Sequence, residues 1–137
     1  MKKLITVIML LVSSVCYAST DYDITGTWKG YLNSNLGYAS VTMELEQYED
    51  GTFVGDWESN DEEYYGTVGG KLKGRTLIKL KITYDAYECY TFFSGKGRLS
   101  VDGKQIRCSV SGKDCNGKKL RVKGKVYLQD DNDDDDT

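Results

Sequence analysis

The 137-residue chain contains no histidine and no proline. Without imidazole, histidine acid–base catalysis and histidine metal sites are excluded, and without proline the tight reversals fall to glycine, asparagine and aspartate. Long apolar runs are also scarce. The one at Leu4 to Val12 follows Lys2 and Lys3 and precedes Cys16-Tyr17-Ala18, whose small last residue suits a signal peptidase. Residues 1–18 therefore read as a secretory signal peptide and not as a membrane span. Ser13-Ser14-Val15 lacks the aliphatic-then-small pattern that would place a lipid on Cys16. No later segment is apolar enough to span a bilayer, so the mature protein is expected to be exported, periplasmic or extracellular, with no transmembrane segment.

What is present is charge, unevenly placed behind a formal net charge of -3. Residues 19–70 hold eleven Asp/Glu against the single Lys29, whereas residues 71–129 hold fifteen Lys/Arg against Asp85, Glu88, Asp102 and Asp114. Residues 130–137 carry six aspartates and no hydrophobe, and are expected to be a solvated, disordered acidic tail. The remaining residues, 19–129, suit one domain.

Within that domain apolar residues recur at every second position. Ile24, Gly26, Trp28, Gly30 and Leu32 share a face, with Thr25, Thr27, Lys29 and Tyr31 opposite, the pattern of a half-buried strand. Seven more runs follow, through Val41-Met43-Leu45, Phe53-Gly55-Trp57, Tyr64 to Leu72, Ile78 to Tyr84, Cys89 to Val101, Ile106 to Gly112 and Leu120 to Leu128. Glu49-Asp50-Gly51 and Cys115-Asn116-Gly117 are three-residue hairpin loops with glycine where φ is positive, and Asp102-Gly103 is a two-residue turn. The loops imply registers: Trp28 opposite Val41, Leu45 opposite Gly55, Ile82 opposite Cys89 through a turn at Asp85-Ala86, and Cys108 opposite Gly97. Eight antiparallel strands in sequence can close and so remove their edges. The expected fold is all-β, a single eight-stranded antiparallel up-and-down β-barrel. Inward glycines either permit the coiling of a small barrel or leave room for a ligand.

The opening Asp23-Ile-Thr-Gly-Thr-Trp28, with Lys123 or Lys125 on the last strand placed to cover the tryptophan, resembles the calycin group of lipocalins, fatty-acid-binding proteins and avidins. Ile24 to Trp28 followed by Asp50-Gly-Thr-Phe-Val-Gly-Asp-Trp-Glu-Ser59 is similar to the avidin opening, over roughly the first 40 residues after the leader. The resemblance implies a ligand-holding barrel, with Trp57 at the avidin tyrosine and Ser59 at its neighbouring serine. Gly30 stands where avidins place an asparagine, and no tryptophan follows Trp57, so the biotin site is mostly unmatched.

The inward positions offer Gln47, Thr91, tyrosines and thiols but no carboxylate, lysine or arginine. Paired acids or an activated nucleophile are therefore lacking, and the protein is expected not to be an enzyme. Cys89 faces position 116 across two strands, so Cys89 and Cys115 are the expected disulfide, with Cys108 a buried thiol. Asp56, Glu58, Asp61, Glu62 and Glu63 lack EF-hand spacing and read as solvated carboxylates; no metal or other cofactor is expected. Two binding surfaces remain. At the barrel mouth Asn33, Ser34, Asn35, Leu36, Ser59, Tyr64, Tyr84 and Tyr87 converge around Trp57, aromatics with a few polar groups, as a small-ligand pocket uses. On the outer wall Lys79 with Phe92, Lys81 with Tyr90, and Arg98 with Arg107 form a basic face, with Leu77 outside. That wall suits an anionic envelope component or a protein partner, and export argues against nucleic acid. The leading expectation is a small apolar or amphipathic ligand at the mouth. The alternative is an interaction protein, such as a hydrolase or protease inhibitor, although the cysteine pair near strand B typical of similar metalloprotease-inhibitor barrels is absent.

Overall fold

The computed structural model describes residues 22–130 except 36, 62, 87 and 88. The expected leader, Leu36, Glu62, Tyr87 and all of the expected tail except Asp130 lie outside the described residues. Eight strands follow in order: β1 Gly26–Ser34, β2 Gly37–Gln47, β3 Thr52–Ser59, β4 Tyr65–Lys73, β5 Thr76–Ala86, β6 Cys89–Leu99, β7 Gln105–Lys113 and β8 Lys119–Leu128. Each pairs antiparallel with its neighbours in sequence, and β1 pairs with β8, so the sheet is a closed barrel. No helix occurs among the described residues.

Period-two patterning drives the closure. Trp28, Val41, Met43, Leu45, Phe53, Trp57, Val68, Leu80, Ile82, Phe93, Ile106, Val110 and Val126 are all buried in one core, and a slip of one residue would turn any of these sets outward. The two glycine loops form as expected: Gly51 has φ +90° and Gly117 φ +80°, each donating its N–H to the carbonyl three residues back, Tyr48 and Asp114. The registers β2–β3, β6–β7 and β7–β8 also form as expected, with Leu45 opposite Gly55, Gly97 opposite Cys108 and Cys108 opposite Gly124.

Four expectations are corrected. Trp28 faces Met43 and not Val41, because the β1–β2 ladder runs on to Ser34 and Gly37. Ile82 faces Phe93, and Cys89 faces Ala86, because β5 continues through the expected Asp85-Ala86 turn. The pairs Lys79–Phe92 and Lys81–Tyr90 fail with that register: Thr83 faces Phe92 and Asp85 faces Tyr90. Finally β5 carries a bulge between Leu77 and Leu80, with Lys79 at φ 53°. The extra residue flips the facing of what precedes it. Leu77 is consequently buried in the core and Ile78 only half-buried.

The two barrel ends differ. At one end the segment before β1 folds across the opening: Gln47 accepts the Ile24 N–H and donates to the Tyr22 carbonyl, while the Tyr22 hydroxyl reaches the Val101 carbonyl. Ile24 and Trp28 are fully buried there, and the indole N–H donates to the Ile24 carbonyl at 2.9 Å. Among the described residues no lysine covers Trp28 as the calycin resemblance implies; Lys125 points outward, its ammonium 5.8 Å from the Tyr127 ring centroid. The other end, carrying the β1–β2, β3–β4, β5–β6 and β7–β8 connections, is open.

Candidate functional site

The open end holds a cavity of about 420 Å³. One wall is aromatic. Trp57 on β3 stacks on Tyr84 of β5 with ring centroids 6.4 Å apart, and Tyr84 stacks on Tyr64 at 5.6 Å. Alternation on β3 and β5 aims both rings inward, and the indole N–H is held by the Thr83 carbonyl at 2.8 Å. The opposite wall is aliphatic, formed by Leu32, Ala39, Leu120 and Val122. Asn33, Ser34, Asp114 and Asn116 supply polar groups to the lining, and among the described residues Asp114 is its one formally charged side chain. The Asp114 carboxylate accepts the N–H groups of Asn116 and Lys118, which hold the β7–β8 loop in shape.

Leu32 and Ile82 form the floor. Beneath them the barrel is packed, leaving an apolar void of only about 20 Å³ among Met43, Phe53, Leu80 and their neighbours. A space of that size holds one water at most. The inward glycines do not hollow out the mouth, since a Cβ on Gly30, Gly55, Gly66 or Gly95 would lie 1.9–2.0 Å from a carbonyl oxygen of an adjacent strand. They are there for close strand approach, the first of the two roles open to them from sequence.

Of the residues expected at the mouth, Asn33, Ser34, Trp57, Tyr64 and Tyr84 line this cavity. Tyr87 lies outside the described residues. Ser59 does not line it: the side chain is 2% exposed, donates to the Asp61 carboxylate and accepts the Tyr64 N–H. The Ser59 hydroxyl, then the Glu63 N–H, hold the Asp61 carboxyl below its ordinary pKa. The same latch recurs at the closed end, where Ser100 donates to Asp102 and accepts the Gln105 N–H. Ser-x-Asp with a backbone donor five residues after the serine was the signal for both. Sequence reasoning also missed the aliphatic wall, whose members look like ordinary core.

Cys89 and Cys115 are joined in a disulfide with Cα atoms 5.8 Å apart, and Cys115 lines the mouth. It ties the start of β6 to the β7–β8 loop, bracing one side of the opening. Cys108 is free, and burial pushes its thiol up to about 11.

Lys79, Lys81 and Tyr90 of the expected basic wall border an outer depression that also carries Glu44, Glu46 and Asp56. The Lys81 ammonium lies 4.7 Å from the Phe92 ring centroid. Arg98 and Arg107 face each other on β6 and β7, and Lys81 adjoins that sheet through Ser94. No protein-family model and no curated protein matches this chain.

Proposed function

We propose that the chain is an exported, non-enzymatic binding protein of calycin type that holds a small apolar or amphipathic ligand in the mouth of its barrel. The observation that carries this reading is the mouth cavity, whose volume of about 420 Å³ falls within the range of roughly 300–1,000 Å³ usual for ligand pockets. An aromatic wall, an aliphatic wall and a polar rim are what such a ligand uses: apolar burial supplies the affinity and a few hydrogen bonds the orientation. The packed floor favours a compact occupant over an extended chain threaded down the axis.

Trp57 reports on the site, provided the closed-end tryptophan is silenced. In a Trp28→Phe variant, titration with a naphthol or a medium-chain fatty acid should change Trp57 emission saturably. Ala39→Phe with Val122→Phe, which fill the cavity without adding an indole, should abolish that response. A flat titration, together with co-purification of a protein partner, would replace this reading by the interaction-protein one.

A further inference from the structure

The outward residues of β6, β7 and β8 form a grid set by the register. Ser94, Ser111 and Arg121 lie side by side, then Lys96, Ser109 and Lys123, then Arg98, Arg107 and Lys125, with Lys113 opposite Lys119 beyond the first row. All of these cations are exposed except Lys125, which is half-buried, and no carboxylate occupies any position of the grid. In the flanking loops Asp102 and Asp114 are occupied by their own turns. Arg98 directly opposite Arg107 and Lys113 directly opposite Lys119 are like-charge pairs, which destabilise a sheet unless an external anion neutralises them.

We propose that this face binds a linear anionic polysaccharide. Alternate residues on a strand are spaced by roughly 6.8 Å and neighbouring strands by about 4.8 Å. Lys119, Arg121, Lys123 and Lys125 therefore form a straight ladder roughly 20 Å long on β8, with further cations one and two strands away. Such a line suits repeated anionic groups on an extended chain. The interstices are serines, whose hydroxyls hydrogen-bond sugar and ester oxygens. They are not aromatic: the exposed rings of the same strands, Tyr90, Phe92 and Tyr127, stand at the strand ends, so no row of base-stacking platforms runs among the cations as single-stranded nucleic acid requires. Within the three rows there is no apolar side chain to insert into a bilayer, and the outer wall of a barrel curves away from a flat surface.

The test is binding of dextran sulfate to the full mature chain, with uncharged dextran as control, across salt. Release of several of the polyanion's counterions together should weaken binding about 250-fold between 50 and 200 mM salt, by analogy with polyanion contacts of slope about -4. Lys119→Ser/Arg121→Ser/Lys123→Ser should remove at least tenfold of the affinity at low salt and flatten that slope. Lys71→Ser/Lys73→Ser/Lys79→Ser, the same change in net charge outside the grid, should leave both within twofold. Circular dichroism checks folding, and Arg107→Ser alone, which relieves a like-charge pair, should weaken binding while raising the melting temperature. Equal losses in the two triple variants would overturn the proposal, as would no binding at 50 mM salt. Tighter binding to oligo(dT) or to anionic vesicles at matched charge would overturn the choice of partner.

Discussion

The seam that closes the barrel can be broken with one methyl group. Gly30 on β1 pairs with Val126 on β8, and a Cβ placed on it would lie 1.9 Å from the Lys125 carbonyl oxygen and 2.6 Å from the Val126 α-carbon. Both obstacles are backbone, so no rotamer change relieves them. Reaching even a 3.0 Å contact requires the strands to part by about 1.1 Å, which stretches neighbouring ladder bonds beyond hydrogen-bonding length. Losing two or three such bonds costs about 1–4 kcal/mol, and misfitting Val126 against the core adds about 1–3 kcal/mol. Against this, alanine restricts the unfolded chain and returns only about 0.4–1 kcal/mol. Gly30→Ala should therefore destabilise by about 3 kcal/mol or more.

The control is the same substitution at Gly69, where a Cβ would meet only the Phe53 carbonyl at 3.4 Å. Gly69→Ala should be neutral or slightly stabilising. Urea unfolding followed by tryptophan emission separates the two: with a slope near 1.5 kcal/mol/M, the Gly30→Ala midpoint should fall by about 2 M. If both variants unfold within about 0.3 M of the parent, β8 does not approach β1 so closely, and the account of the inward glycines as coiling devices is wrong.

Other substitutions probe the remaining features. Cys108 has its thiol raised from 9.0 to about 11 by burial, so its contribution is intact below pH 9 and is lost as pH rises through 11. That loss approaches about 2–3 kcal/mol, and Cys108→Ala should flatten the stability profile between pH 9 and 11 relative to the parent. Replacing Cys89 and Cys115 by serine opens a link spanning 26 residues. It should cost about 3 kcal/mol in the chain-entropy account and lower Tm by roughly 12–15 °C; a drop under 3 °C would show that β6–β7 pairing alone holds the loop. Lys79 sits at φ 53°, so Lys79→Gly should be neutral or stabilise by up to about 1 kcal/mol, against the usual penalty for glycine in a strand. Ending the chain after Gln129 removes six aspartates and should strengthen retention on a sulfonate resin at low salt; unchanged elution would show that these residues do not screen the basic wall.

How far the chain could be read depended on which physical signal was asked for. The inward face was legible because burial imposes period two, and the loops at Gly51 and Gly117 because a positive φ demands glycine. Register was legible only where such a loop fixed it. Slips of two or four residues keep the same face inward, so β1–β2, whose Gly37 does not by itself fix the loop length, and β5–β6, whose connection has no glycine, were misplaced without any apolar residue being exposed. The bulge at Lys79 escaped because lysine is a poor advertisement for left-handed backbone. Its trace was nonetheless there: Leu77 and Leu80 are three apart, and two buried residues at that spacing cannot share a face of a regular strand. At the mouth, aromatic rings were legible as a cluster, whereas Ser59 was placed in the lining although the local Ser59-x-Asp61 pattern marks a latch whose hydroxyl is taken up by Asp61 and the Tyr64 N–H.

A single pleat separates the two surfaces to which binding is assigned. On β8 the inward residues Leu120 and Val122 line the mouth, while Lys119, Arg121 and Lys123 point the other way into the cationic grid. Alternation lets one ten-residue strand serve a neutral interior and a charged exterior without burying an ion, which would be far more costly than any gain in compactness. The division of charge along the sequence follows from the same constraint. Consecutive strands are neighbours in this meander, so lysines and arginines gathered in the later strands become one continuous face with no need for long-range crossover. An uneven charge distribution in sequence therefore becomes a one-sided field in space. That field acts through the outer wall, and the mouth, where Asp114 is the one formally charged side chain among the described lining residues, would select the proposed occupant mainly by shape and apolar area.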